Sequence, residues 1–202
     1  LRDFAVEAKG YRKERRNIEY LLLRLYAYFA DQSGVDFQWL GDKTPLNTLS
    51  LKSIDRLVPN ARYVYLLRDG VDVTASYIGA GIYSDVEDAA SRWVKSQKNW
   101  EEFRKQISDD RYLEIRYEDM VTDPDKITKH ISRNLGIPER INYIDVNHVL
   151  GDVSTLAHHE NTTKKPNRES IGKGRRDLTD CEKNRIRPIL SGSLEHCQYP
   201  SL

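Results

Sequence analysis

Cysteines and long apolar runs are both scarce in this chain of 202 residues. Two thiols, Cys181 and Cys197, without a paired Cys or His spacing argue against a zinc-type metal site. We expect both to be free, since they can pair only if the chain folds back on itself. No apolar run approaches the ~20 residues of a membrane-spanning helix. The most hydrophobic window, Tyr20 to Ala30, is interrupted by Arg24. We therefore predict no metal and no membrane segment in this chain.

A strong net charge is also missing, because 32 Lys and Arg residues balance 31 Asp and Glu residues to a net charge of +1. No global field then favours nucleic acid or a membrane surface, so we expect no nucleic-acid partner. Any selectivity for anions must be local. The length fits one ordinary domain with a real core, which we predict to span residues 1–202. The sequence begins at Leu1 with neither an initiator Met nor a targeting segment.

Strand-like and helix-like patterns alternate along the chain. Short apolar runs predict strands over 37–40, 63–67 and 112–116, and amphipathic or capped segments predict helices over 15–31, 49–57, 71–78, 86–107, 124–135 and 179–194. Residues 151–177 have the composition of an irregular polar loop. Strands that alternate with helices indicate an α/β fold with a parallel sheet.

The junction between the strand 63–67 and the helix that follows it carries the most information. The apolar run stops at Arg68, turns through Asp69 and Gly70, and continues as a helix that carries Ser76 about two turns later. Ligands of α/β sheets bind at such junctions. A guanidinium and a hydroxyl that converge there suit a phosphate or sulfate group. The spacing equally allows Arg68 to cap the strand by pairing with Asp69 or Asp72.

This junction resembles the 3′-phosphate-binding element of sulfotransferases that use 3′-phosphoadenosine-5′-phosphosulfate (PAPS), with Arg68 and Ser76 at the matching positions. Two further segments agree in the same order along the chain. The first, Gly41-Asp42-Lys43-Thr44-Pro45, resembles the Glu/Asp-Lys-Thr-Pro signature of carbohydrate and bacterial sulfotransferases. The second, Tyr117-Glu118-Asp119-Met120, resembles the family segment whose Tyr lies near the adenine. The resemblance implies a P-loop-like three-layer fold, with a central parallel sheet flanked by helices.

The resemblance also implies roles for the residues of the first segment. Asp42 is the expected catalytic base for the acceptor hydroxyl, and carboxylates are suited to that task when burial raises their pKa. Lys43 is expected near the sulfuryl oxygens or the substrate, where it would stabilise the charge that grows during transfer. Asp42 has an open alternative, which is to orient Lys43 or to cap the next helix.

Tyr117 is the expected contact for adenine. The segment Lys173-Gly174-Arg175 resembles a family loop that closes on the 3′-phosphate, where glycines let backbone donors approach an anion. The alternative for this segment is a solvated basic run. Trp93 and Trp100 could line an acceptor pocket, but aromatics at helical spacing favour the hydrophobic core.

One family element has no counterpart in these residues. Sulfotransferases that resemble this chain carry a Gly-rich loop, after a first strand, that holds the 5′-phosphosulfate at a helix N-terminus. No such segment occurs here. Either the protein continues before Leu1 or it is a relative that has lost the loop. We expect the former, because a parallel sheet without its central strand leaves a large apolar slot open.

These observations predict a sulfotransferase that moves a sulfuryl group from PAPS to a hydroxyl of a carbohydrate or small-molecule acceptor, with PAP as product. The alternative is a non-catalytic module of the same fold that binds PAP. A kinase-like relative is disfavoured, because the motif Gly-x-x-x-x-Gly-Lys-Ser/Thr is missing. Bacterial relatives are cytoplasmic and animal carbohydrate enzymes reside in the Golgi lumen, so the sequence predicts no single compartment.

Overall fold

A computed structural model describes residues 41–139 and 168–202, together with Arg24 and Tyr28. Its contacts divide the chain into two compact units, Leu1–Ala61 and Arg62–Leu202. Of the helix predicted over 15–31, the described residues Arg24 and Tyr28 are both helical. The strand predicted over 37–40 lies outside the described residues, as do residues 140–167.

The described part of the first unit is a short helical segment. A 3-10 helix, Pro45–Leu49, leads into α1, Leu51–Leu57. Thr44 precedes the 3-10 helix in an extended conformation, and Pro45 suits its first position because the missing N–H would have no partner there. The predicted helix over 49–57 is therefore confirmed for residues 51–57.

The second unit alternates strands and helices, as the sequence predicted. Its elements are β1 Tyr63–Leu67, α2 Gly70–Gly79, α3 Val86–Arg104, β2 Tyr112–Arg116, α4 Tyr117–Thr122, α5 Pro124–Leu135, α6 Lys173–Asp177 and α7 Asp180–His196, with 3-10 turns at Asp109–Arg111 and Arg168–Ser170. The two strands are parallel, in a register that pairs Tyr63 with Tyr112 and Leu67 with Arg116. Both strands therefore end at the same edge of the sheet.

One face of the sheet packs on α3 through aromatic rings. The Tyr65 ring stacks on Trp100 with 4.4 Å between centroids, and Tyr63 meets Phe103 edge to face at 5.0 Å. Trp93 and Trp100 are both buried, which confirms that they belong to the core. Aromatic pairs of this kind stabilise a core beyond the area that they bury.

Helix α7 contributes a further part of the core. Ile186, Leu190 and Leu194 recur at helical spacing and are fully buried. They belong to one cluster with Val71 of α2 and Trp93 of α3. The core therefore fixes the position of α2, the helix that follows β1.

The residues predicted to begin the helices α5 and α7, and to end α5, do so. Thr179 and Glu182 form a reciprocal capping box at the start of α7. Helix α5 begins at Pro124 and ends at Gly136, whose φ of 69° is the left-handed conformation that glycine adopts readily. Helix α3 ends at Arg104, three residues before the predicted end. Cys181 and Cys197 are free thiols, as expected.

The prediction of irregular structure over 151–177 is wrong for its described residues. Arg168–Ser170 forms a 3-10 turn and Lys173–Asp177 forms α6. The reason is tertiary: carboxylates on α2 bind the backbone and side chains of this segment, and the local composition carries no sign of them. No described helix is long and apolar enough to cross a membrane.

Candidate functional site

Arg68 leaves the end of β1 and is held on several sides. Its guanidinium lies over the ring of Tyr117, with 4.3 Å between the guanidinium carbon and the ring centroid. Its Nη2 donates a hydrogen bond of 3.0 Å to the backbone carbonyl of Ser170. Its own carbonyl accepts a hydrogen bond of 3.1 Å from the indole of Trp93. The position of this cation is therefore set by three neighbouring elements.

The hydrogen bonding of this guanidinium is incomplete. The Nε atom of Arg68 is buried and has no hydrogen-bond partner in the part of the chain that the structure describes. A buried donor on a charged group without a partner costs free energy. Asp69 and Asp72, the partners expected if Arg68 only capped the strand, bind other groups. Among the residues that the structure describes, Arg68 is thus a cation without a carboxylate partner at the end of β1.

Tyr117 reaches the same point from β2. The register pairs Leu67 with Arg116, so the residues that follow them, Arg68 and Tyr117, leave the sheet side by side. The Tyr117 hydroxyl donates a hydrogen bond of 3.0 Å to the hydroxyl of Ser170. The structure therefore brings Arg68 and Tyr117 together, as the resemblance implies.

Ser170 is a residue of this site that the sequence did not reveal. It lies in the 3-10 turn Arg168–Ser170, and it binds Arg68 through its carbonyl and Tyr117 through its hydroxyl. It is about a hundred residues from Arg68 along the chain. A single serine in a polar stretch carries no signal that could have identified it.

Ser76 lies on α2, about two turns after the helix begins at Gly70, and its side chain is exposed. The helix start is fixed by the buried Val71 below it. A ligand that reaches the exposed side of α2 can therefore meet this hydroxyl. That Ser76 and Arg68 grip one group stays a prediction.

Two buried carboxylates organise the first turn of α2. Asp69 caps the helix by accepting a hydrogen bond of 2.8 Å from the amide of Val71. Its other oxygen accepts from Arg175 at 3.1 Å, and its amide donates to Glu118 on α4. This carboxylate is therefore paired within the protein and is not available to Arg68.

Asp72 binds the backbone of the distant Gly172–Gly174 segment. Its two oxygens accept hydrogen bonds of 2.7 Å each from the amides of Gly172 and Gly174. Gly174 sits so close to α2 that a Cβ atom there would lie 2.3 Å from the carbonyl oxygen of Val71. The glycine amides thus bind an anion, but in this structure that anion is a carboxylate of the chain itself.

The other two residues of the basic segment differ from each other. The Arg175 guanidinium donates to Asp69 and to the carbonyls of Pro200 and Ser201. Lys173 is exposed, and its ammonium lies 3.8 Å from the carboxylate of Asp177. Of the two cations, Lys173 is the one that points into solvent.

A half-buried tyrosine, Tyr199, supports the site from the C-terminal segment. The Tyr199 hydroxyl donates a hydrogen bond of 2.8 Å to Glu118, whose other oxygen accepts from the amide of Asp69. Burial, together with the carboxylate of Glu118, raises the pKa of Tyr199 well above its usual value. Tyr199 therefore stays neutral and serves as a donor over the physiological pH range.

Asp42 and Lys43 belong to the first unit, and both are exposed there. The Asp42 carboxylate accepts hydrogen bonds from the hydroxyl of Thr44 at 3.1 Å and from the side-chain amide of Asn47 at 2.7 Å. Both contacts join side chains within this turn, and Thr44 at the start of the 3-10 helix makes no side-chain cap hydrogen bond. A catalytic role for Asp42 stays a prediction.

Metal ligands are not clustered in this protein as far as the structure describes it: residues 41–139 and 168–202 contain no group of three or more His, Cys, Asp or Glu side chains that could hold an ion.

Comparisons with known proteins identify the family of this chain and its fold. The family model described as "Sulfotransferase family" matches residues 6–140. Among solved structures, the chain is similar to the sulfotransferase domain from the curacin biosynthetic pathway, at 21% identity and a TM-score of 0.66. That match covers 88% of this chain and 68% of the other.

A second similar structure is the sulfotransferase domain from the Synechococcus PCC 7002 olefin synthase, at 23% identity and a TM-score of 0.66. The match covers 89% of this chain and 64% of that one, so the chain spans about two thirds of each neighbour. No curated protein sequence matches the chain. The fold, a parallel sheet flanked by helices, is that of sulfotransferases, and the chain belongs to the sulfotransferase family.

Proposed function

We propose that this protein is a sulfotransferase that moves a sulfuryl group from PAPS to a hydroxyl of a carbohydrate or small-molecule acceptor. Membership of the sulfotransferase family supports group transfer. The observation that carries the choice of donor is Arg68, a half-buried cation at the end of β1 whose buried Nε atom has no hydrogen-bond partner among the described residues. Such a cation fits a phosphate, which accepts several charge-assisted hydrogen bonds at once.

The residues at the end of the sheet fit the nucleotide end of PAPS. Arg68 and Ser76 would hold the 3′-phosphate, and Tyr117 would contact the adenine. Lys173 would add a second cation. It is exposed, and its ion pair with Asp177, at 3.8 Å on the surface, is weak. Gly174 and Arg175 would shape the segment around the phosphate, since their donors bind Asp72 and Asp69.

PAPS supplies the sulfuryl group when it is bound. Transfer forms an S–O bond to the acceptor oxygen and breaks the S–O bond to the 5′-phosphate, which leaves on PAP. Asp42 would take the proton of the acceptor hydroxyl. Lys43 would stabilise the negative charge that shifts toward the leaving phosphate.

Two observations support the proposed class of acceptor. The Asp-Lys-Thr-Pro form of residues 42–45 resembles the carbohydrate and bacterial branches of the family. The similar structures come from the curacin biosynthetic pathway and from an olefin synthase. A hydroxyl on a small molecule or a sugar is the acceptor that these supports favour.

Calorimetric titration with PAP tests the donor, with 5′-AMP as the matched ligand that lacks the 3′-phosphate. We expect PAP to bind at least about tenfold more tightly, the factor that 1.4 kcal/mol represents. Arg68→Gln should remove this preference. Arg62→Gln is the control, because Arg62 precedes the same strand and donates to the carbonyl of Asn134. Equal affinities for PAP and AMP in the unaltered protein would contradict the proposal.

The non-catalytic alternative has an observation in its favour, because both oxygens of Asp42 already accept hydrogen bonds within its own turn. It predicts that PAP binds but that no radiolabelled sulfate moves from PAPS to any acceptor. If Asp42 is the base, Asp42→Asn should lower turnover far more than PAP affinity. Equal losses would assign Asp42 to structure alone.

A further inference from the structure

We propose that Asp72 is a positioning residue for donor recognition. It would hold the segment 168–177, here called the strap, against the first turn of α2, so that Ser170 of the strap orients Arg68. The inference rests on the proposed function, since it concerns the same phosphate site. Asp72 would act through the strap and would not touch the ligand.

The attachment of the strap is buried and specific. Asp72 is only 2% exposed. Its two carboxylate oxygens accept hydrogen bonds of 2.7 Å each from the amides of Gly172 and Gly174. Hydrogen bonds to a charged acceptor are roughly twice as strong as neutral ones. The glycine at 174 allows this approach, because any Cβ would collide with the carbonyl of Val71.

A second carboxylate fixes the other side of the strap. Arg175 lies 3.1 Å from Asp69, the capping residue of the same helix. The side chain of Asp69 is 9% exposed, so water screens this pair only weakly. Asp69 and Asp72 therefore hold two successive parts of the strap on one turn of α2.

Ser170 lies in the strap two residues before Gly172. Its carbonyl accepts from Nη2 of Arg68, and its hydroxyl accepts from Tyr117. These contacts fix the plane of the guanidinium over the Tyr117 ring. Movement of the strap would therefore release the two side chains that are proposed to bind the nucleotide.

The variant Asp72→Asn breaks this attachment while it keeps the shape of the side chain. Its oxygen can accept from one glycine amide, but its NH₂ group then faces the other N–H, and two donors cannot bond. Asp88 offers a matched control. It occupies the third position of α3, as Asp72 does in α2, but it is exposed. Asp88→Asn removes the same helix-dipole interaction and leaves the strap intact.

The test compares the ratio of AMP to PAP dissociation constants in the two variants by calorimetry. We expect Asp72→Asn to lower the ratio by about tenfold, the equivalent of 1.4 kcal/mol, and Asp88→Asn to leave it unchanged. A purely structural role would lower the unfolding midpoint of Asp72→Asn but keep its ratio, which would overturn the inference. Absence of a PAP preference in the unaltered protein would instead overturn the proposed function.

Hydrogen exchange in the unaltered protein provides the second measurement, which does not depend on the folding of a variant. The amides of Gly172 and Gly174 should be protected without ligand, because both bind a buried carboxylate. The amides of Lys173 and Ser170 should gain protection when PAP binds. Rapid exchange of Gly172 and Gly174 would show that the strap is not held, and it would overturn the inference.

Discussion

Helices α2 and α3 begin with the same sequence signal but use it differently. Each is capped by an aspartate, Asp69 or Asp85, and each has a second aspartate at its third position. At α2 both carboxylates are buried, and they bind the strap. At α3 the capping carboxylate is more accessible and pairs with Arg185 of α7. Burial, and not the capping pattern, decides which helix start organises a site.

This difference shows which capped helix starts are worth examining for a functional role. A capped helix start satisfies its own amides wherever it occurs. At α2 the same groups also hold a segment about a hundred residues away, next to Arg68, whose Nε has no partner in the described part of the chain. The first turn of α2 is therefore a structural support for the candidate site, while the first turn of α3 joins two helices at the surface.

The largest effect is expected where the strap touches α2. Gly174→Ala would place a Cβ 2.3 Å from the backbone oxygen of Val71, which cannot move without displacing the helix. We expect the free energy of unfolding to fall by about 3 kcal/mol, measured by urea denaturation. The control is Gly192→Ala in α7, where a Cβ meets nothing within 4 Å. It should stabilise the protein by about 0.5 to 1 kcal/mol. Equal effects would show that the strap is not packed there.

A direct comparison of the two capping residues gives the next effect. Asn retains a cap, so Asp69→Asn and Asp85→Asn isolate the ion pairs with Arg175 and Arg185. We expect Asp69→Asn to cost about 2 kcal/mol of unfolding free energy, because its charge is buried. Asp85→Asn should cost less, since water screens its pair. A larger loss for Asp85→Asn in the same denaturation experiment would reverse the comparison.

Tyr199→Phe tests the hydrogen bonds that connect Tyr199, through Glu118, to the amide of Asp69. It removes the hydrogen bond to Glu118, and we expect a loss of about 1 kcal/mol of unfolding free energy. Because burial raises the pKa of Tyr199 above its usual 10.0, the folded state keeps this proton longer than the unfolded chain. Stability should therefore fall as the pH rises above 10, and less steeply in Tyr199→Phe. Identical slopes in pH-dependent thermal denaturation would contradict this assignment.

The smallest effect is expected when the carboxylate of Asp85, the capping residue of α3, is titrated with acid. The hydrogen bond from Arg185 and the amide of Glu87 hold the pKa of Asp85 below its usual 3.8. A lowered pKa contributes stability above the unfolded value, and this contribution is lost as the pH falls below about 3.8. Asp85→Asn should flatten this part of the curve of unfolding midpoint against pH. An unchanged curve would show that the surface pair contributes nothing measurable.

Local patterns allowed much of the fold to be predicted. The strands 63–67 and 112–116 were predicted at the residues where they occur, because apolar and aromatic runs were bounded by turn residues. The end of α5 at Gly136 and the cap of α7 at Thr179 followed from their own side chains. The parallel order of the strands followed from the alternation of strands with helices.

The candidate site was predictable only in part. The resemblance identified Arg68 and Tyr117, and the strand register explains why they meet. The contact of Ser170 with Arg68 and the attachment of the strap to Asp72 could not be predicted, because they join residues about a hundred positions apart. The helix α6 was missed for the same reason. Its contacts with α2 come from the tertiary fold, whereas its polar sequence is typical of a loop.

The most direct test observes the Arg68 guanidinium itself. In protein labelled with ¹⁵N-arginine, the Nε–H resonance of Arg68 can be assigned by its absence from Arg68→Lys. We predict that saturating PAP shifts this resonance strongly, because a phosphate completes the hydrogen bonding of the guanidinium, and that AMP does not. A resonance that stays in place while PAP shifts other signals would contradict the assignment of Arg68 to the 3′-phosphate.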